Sequence, residues 1–202
     1  MKKIICPIIV ALVMLFPLHA FAASPLQTVE SHVNQLLTVL GDQSLTGPAG
    51  EERKKAAIKS ISDSLFDFEA LSRFALGAGW RNFSPEQQKS FVALYRQLLE
   101  GIYMGRLLQY KDEKVVFGKE SALSETRSEV QSHIAAAGGN IPIDYRLVNK
   151  NGVWKVYDLV IENASLAKNY RVQFNSILSN NSPDKLLAML RRKVGDQASA
   201  SK

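Results

Sequence analysis

The sequence predicts an α+β protein in which helices precede and follow a four-stranded antiparallel sheet. Three observations predict it. Apolar residues recur at helical spacing across residues 24–110. Across residues 113–162 the pattern changes to strand-like runs joined by turns too short for a parallel crossover. After residue 164 the helical spacing returns. With 202 residues, 46% hydrophobic and 22% charged, the chain suits one globular domain with a substantial core.

The first 22 residues stand apart. Lys2 and Lys3 precede an apolar run over 4–18, and Ala20-Phe21-Ala22 supplies small residues at a cleavage position. That run of 15 residues is shorter than the roughly 20 needed to cross a bilayer, so it predicts a secretory signal peptide rather than an anchor. The organisation expected is therefore 1–22 signal peptide, 23–195 one domain and 196–202 a flexible tail. Cys6 is the single cysteine and lies inside the leader, so the exported chain would carry no disulfide, thiol nucleophile or acylated cysteine. Losing Lys2 and Lys3 takes two charges off the formal +6 and leaves +4. Outside the cytoplasm, nucleic acid is not the partner that such a surface implies; anionic lipid head groups or acidic proteins are.

The helices have readable boundaries. Leu26, Val29, Val33, Leu36, Leu37 and Leu40 form one amphipathic stripe, with Pro25 in the first turn and Gly41 at the stop. Residues 42–50 read as a loop, and 51–65 as a second helix with a basic side. Asp67 can cap a short third helix through Leu76. Ser84-Pro85-Glu86-Gln87 holds an N-cap, a first-turn proline and a capping-box partner, opening a helix to about Tyr110. Its apolar arc is wide and closes almost all round with Met104, Leu107 and Leu108, so that end must be enclosed on several sides. Gly101 and Gly105 cost about 1 kcal/mol each against alanine in a helix, which close packing or space for a guest would justify. Helices over 164–179 and 183–194 close the chain, the second capped by Ser182 and stopped by Gly195.

Strands are expected over 113–123, 127–137, 141–148 and 153–162. Asn151-Gly152 is a type I′ hairpin signal, because both residues tolerate positive φ. With a two- or four-residue loop there, odd positions of the third strand share a face with even positions of the fourth. One face then carries Ile141, Ile143, Tyr145, Leu147, Trp154, Val156, Asp158 and Val160. A bulge would reverse the fourth strand's parity. The fourth strand is apolar on both faces, so protein core or a bound apolar molecule must cover the second one.

Catalytic and metal constellations are sparse. His32 and His133, the two histidines beyond the leader, fall on polar registers. No HExxH, GxSxG, P-loop or cysteine-based metal spacing occurs, so neither metal nor cofactor is expected. Asp158 within cross-strand reach of Tyr145 is the one pair that could do chemistry, as in ketosteroid isomerase-like sites. A satisfied core hydrogen bond is the plainer reading of it.

Two segments, "FALGAGWRNFSPEQQKSFVALYRQLL" and "IPIDYRLVNKNGVWKVYDLVIENASLAKNYRVQFNSIL", resemble the MlaC, or toluene-tolerance, family of periplasmic phospholipid-binding proteins. The resemblance implies an NTF2-like fold, with helices wrapped around a curved four-stranded antiparallel sheet that encloses an apolar cavity for acyl chains. It implies a shuttle between an outer-membrane lipoprotein complex and the lipid-binding subunit of an inner-membrane ABC transporter. On that reading Phe74, Tyr103, Leu107, Ile143, Tyr145, Leu147, Val156, Val160, Tyr170 and Phe174 lie near the tails, and Arg81 and Lys168 at the head-group rim. Three alternatives remain: a small NTF2-like enzyme on an apolar substrate, a hopanoid-linked lipid carrier, and an adaptor that binds only protein.

Overall fold

The computed structural model describes residues 23–110, 113–136 and 139–200. The expected leader and residues 201–202 of the expected tail lie outside the described residues. The order is α1 (Pro25–Gly41), α2 (Gly47–Leu65), α3 (Phe68–Leu76), a 3-10 turn (Gly77–Asn82) and α4 (Pro85–Leu107). Strands β1 (Lys114–Ser124), β2 (Arg127–Ala136), β3 (Gly139–Lys150), β4 (Val153–Ile161) and β5 (Ala164–Ser165) follow, then α5 (Leu166–Leu178) and α6 (Pro183–Ala200). The strands form one antiparallel sheet in chain order. Among the described residues no helix is long and apolar enough to cross a membrane.

Local chemistry fixes the helix starts. Both α1 and α4 open on complete capping boxes, Ser24 with Gln27 and Ser84 with Gln87, each followed by proline. These reciprocal bonds satisfy amide groups that a helix start leaves orphaned. α2 begins at Gly47 rather than 51, because Pro48 in the first turn suits a helix start as well as a loop. Gly50 is required there: a Cβ would meet the Leu45 carbonyl carbon at 2.5 Å. α6 does not stop at Gly195 but continues to Ala200, so 196–200 is helix and not a frayed tail. It passes over Gly101, where a Cβ would stand 2.6 Å from Gln197 Oε1, whereas Gly105 faces open space.

The sheet has one strand more than expected. Glu162 and Asn163 both take positive φ, 49° and 66°, so the chain reverses in two residues and pairs Ile161 with Ala164. α5 starts from that corner. The Asn151-Gly152 turn forms as its chemistry demands, with φ of 54° and 85° and with Lys150 opposite Val153.

Beyond the turn the register shifts. Leu147 pairs with Val156, but Arg146 pairs with Asp158, leaving Tyr157 as the extra residue of a β-bulge. Past it, Tyr145 pairs with Leu159 and Ile143 with Ile161. The parity expected from the loop alone holds near the turn and reverses at Tyr157. Asp158 and Val160 therefore leave the face that carries Ile143 and Tyr145.

The core has two centres. One joins α3, α4, α5 and α6 around Phe91, Tyr95, Leu98, Phe174 and Leu186. The other joins α1 and the end of α2 to the sheet, with Val29, Val33 and Leu65 against Val130, Leu147 and Val156. Burying a side chain of this size contributes about 1.5–3 kcal/mol.

Candidate functional site

Between these two centres lies a cavity of about 480 Å³ with an almost wholly apolar wall. The sheet forms one side through Val115, Ile134, Ile141, Ile143, Tyr145, Leu159 and Ile161. Facing it are Val33, Leu36, Leu37 and Leu40 of α1, Ile58 and Leu65 of α2, and Phe68 and Leu71 of α3. Leu99, Tyr103, Met104 and Leu107 of α4 line one end. The over-apolar end of α4 is thus one wall of the cavity. Cavities of about 300–1,000 Å³ with apolar walls are the usual form of ligand sites.

Of the residues expected near a guest, Tyr103, Leu107, Ile143 and Tyr145 line this cavity. Leu147 and Val156 do not. Both are wholly buried under the first half of α1, where Val29 and Val33 seat on the sheet, so the cavity opens only beside its second half. Val160 is turned to the opposite face by the bulge and stands opposite Ser165. Tyr170 and Phe174 pack with Tyr95 in an aromatic cluster, at centroid distances of 5.1 and 5.4 Å. They line a separate pocket of about 230 Å³ between α4, α5 and α6. The Phe74 ring meets Tyr157 edge-on at 5.4 Å and lies under the Arg171 guanidinium at 4.7 Å. Arg81 and Lys168 are exposed and border neither pocket.

The reading from sequence missed Leu36, Leu37, Leu159 and Ile161 as wall residues. For the α1 leucines a signal was present: the stripe widens in the last turns, and Leu36 and Leu37 are left half-buried. For Leu159 and Ile161 the signal was the parity rule itself, which one bulge inverts.

The candidate catalytic pair is not assembled, because the bulge puts Asp158 on the face opposite Tyr145. Asp158 is fully buried, and its carboxylate accepts from Ser165 Oγ at 2.6 Å, the Ala167 amide at 3.0 Å and Arg146 Nη1 at 3.3 Å. Arg146 also pairs with Glu129 at 2.9 Å. The carboxylate therefore pins the β5–α5 corner with both of its oxygens engaged. Burial pushes the Tyr145 hydroxyl up to about 12, against a smaller opposite pull from Ser132, so it stays a neutral phenol. Among the described residues no group of three or more His, Cys, Asp or Glu is placed to hold a metal ion.

The geometry defines an α+β protein whose helices and sheet enclose an apolar chamber. The chain belongs to the MlaC family, whose model matches residues 30–192. It is 24% identical over 172 residues to the toluene tolerance protein ttg2D of Pseudomonas putida, a match covering 84% of this chain and 80% of that one. It is 28% identical over 124 residues to the intermembrane phospholipid transport system binding protein MlaC of Haemophilus influenzae, covering 59% of this chain and 58% of that one. Among solved structures it is similar to a phospholipid-binding protein from Ralstonia solanacearum in complex with a phospholipid. The TM-score is 0.75 at 26% identity, over 87% of this chain and 99% of that one.

Proposed function

We propose that the chain is a periplasmic phospholipid-binding shuttle, holding acyl tails in the cavity with the head group outside. It would carry lipid between an outer-membrane lipoprotein complex and the lipid-binding subunit of an inner-membrane ABC transporter. The cavity of about 480 Å³, walled by aliphatic and aromatic side chains, carries this reading. The family membership and the phospholipid named in the Ralstonia structure support it. The leader pattern at residues 1–22 supports export.

The energetics exclude free diffusion of the lipid through water. Two tails of about 16 carbons would cost on the order of 25 kcal/mol to expose to water, at about 0.8 kcal/mol per methylene. Moving the same tails from bilayer to cavity exchanges one apolar medium for another, with a net change near zero. Loading and unloading then need docking at a membrane complex, and direction comes from the partners.

Native mass spectrometry with lipid extraction tests the reading on protein recovered from the periplasm. Intact diacyl phospholipid should co-purify, on a chain that begins near Ala23. A chain that carries no lipid and takes none from phospholipid vesicles would overturn it, and a hopanoid in place of phospholipid would redirect it.

A further inference from the structure

The charged groups around the cavity are Lys59 of α2, Glu100 and Arg106 of α4, and Glu113 at the entry to β1. They are not equivalent. Glu100 accepts from Arg96 Nε at 2.6 Å and stands 3.8 Å from Lys59. Arg96 in turn pairs with Asp63 at 2.6 Å. Those four side chains form a closed set of two cations and two carboxylates.

Arg106 is different. It sits in the last turn of α4, where the helix dipole favours a cation, and it is exposed. Its guanidinium lies 5.7 Å from the ring centre of Tyr103, which itself lines the cavity. Among the described residues no carboxylate lies within ion-pair distance of it. It therefore presents a guanidinium fork at the edge of an apolar chamber, flanked by Tyr103 and Leu107 of the wall.

We infer that Arg106 holds the phosphate of the bound lipid, making this end of α4 the head-group site. The inference rests on the carrier reading above. A guanidinium offers two parallel N–H donors that match two phosphate oxygens, and such charge-assisted bonds are about twice as strong as neutral ones. Tails inserted past Tyr103 and Leu107 leave the glycerophosphate beside Arg106, which stands between them in the last turn of α4. The ligand class is an anionic phosphate ester of a diacylglycerol, and the choline, ethanolamine or glycerol beyond it stays in solvent. Arg81 and Lys168 have no part in it.

The test uses delipidated chain and three probes: phosphatidylglycerol vesicles, the same acyl chains as diacylglycerol, and inorganic phosphate alone. Wild type should retain phosphatidylglycerol better than diacylglycerol. Arg106→Gln should lower phosphatidylglycerol retention about tenfold while leaving diacylglycerol uptake and the melting curve unchanged. Arg106→Lys should recover part of the loss, because it restores the charge without the fork. Arg81→Gln and Lys168→Gln should match wild type. An Arg106→Gln protein with normal melting and an unaltered ratio between the two lipids would overturn the inference while leaving the carrier reading intact. Wild type that takes up neither lipid would defeat both. Inorganic phosphate saturating delipidated wild type but not Arg106→Gln would assign the fork to free phosphate and overturn the head-group role.

Discussion

Two residues on one strand separate cavity from core: Ile143→Trp and Leu147→Trp should fail in opposite ways. Ile143 and Leu147 are four residues apart on the same face of β3, yet one borders the cavity and the other is fully buried beneath α1. At Leu147 an indole must displace well-packed neighbours such as Val29, Val130 and Val156, and overpacking of this kind costs about 1–3 kcal/mol. For a domain of this size that lowers the melting temperature by roughly 2–12 °C. At Ile143 the ring can turn into open space, so the delipidated protein should melt within about 2 °C of wild type. The cost there falls on the guest. If the indole excludes about three methylenes of tail, retention weakens by about 2.4 kcal/mol, or roughly fiftyfold. The assay pairs a melting curve of delipidated protein with lipid phosphorus per mole after equilibration with vesicles. Should Ile143→Trp melt as poorly as Leu147→Trp while keeping its lipid, the chamber would be ordinary core and the placement of the tails wrong.

Asp158→Ala removes the acceptor for Ser165, the Ala167 amide and Arg146, and should cost about 2–4 kcal/mol, seen as a melting temperature roughly 5–15 °C lower. Lipid bound per folded molecule should not change; loss of a measured turnover at normal stability would instead revive the enzyme reading. Asp144 is held above the ordinary carboxylate range by partial burial, then by the neighbouring Glu129. A raised carboxyl pKa means the native state holds its proton longer than the unfolded chain, so stability falls as pH rises from the unfolded value of about 3.9 through the raised one. Asp144→Asn should therefore stabilise the fold slightly at pH 7, by well under 1 kcal/mol because Asp144 is only partly buried, seen as a slightly higher melting temperature that is lost near pH 3. Ser84→Ala removes the hydroxyl that accepts from the Gln87 amide and should cost about 1 kcal/mol, or roughly 2–4 °C on a melting curve, with lipid content unaffected.

What the sequence made legible were the features decided within a few residues. The capping boxes at Ser24 and Ser84 need only a hydroxyl and a glutamine three positions on, and the Asn151-Gly152 turn only two residues that accept positive φ. The start of α2 and the end of α6 were less legible, because Pro48 fits both a loop and a helix start, and Gly195 ends a helix only where nothing packs beyond it. Gln197, on the far side, packs over Gly101.

The half of the site that could not be read turns on Tyr157. A β-bulge adds one residue without changing composition, and in a strand apolar on both faces the one sign of it was Asp158, which strict alternation leaves on the apolar face and which reads there as half of a catalytic pair. What sets the bulge apart is its neighbourhood at the outer edge of β4. Phe66 bridges Val156 on one side of it, the Asp67 amide bonds the Val156 carbonyl at 2.9 Å, and β5 pairs Val160 and Ile161 on the other. Two chain segments far apart in sequence thus meet the same strand, one feeding α3 and the other α5. The extra residue lets β4 serve both. It keeps Leu159 and Ile161 on the cavity wall while turning Asp158 to the corner where α5 begins. Restoring strict alternation would move Asp158 onto the apolar wall and strip the Ala167 amide of its acceptor. The register that opens the chamber and the bonds that anchor the helical half are therefore one structural decision, made at a single residue.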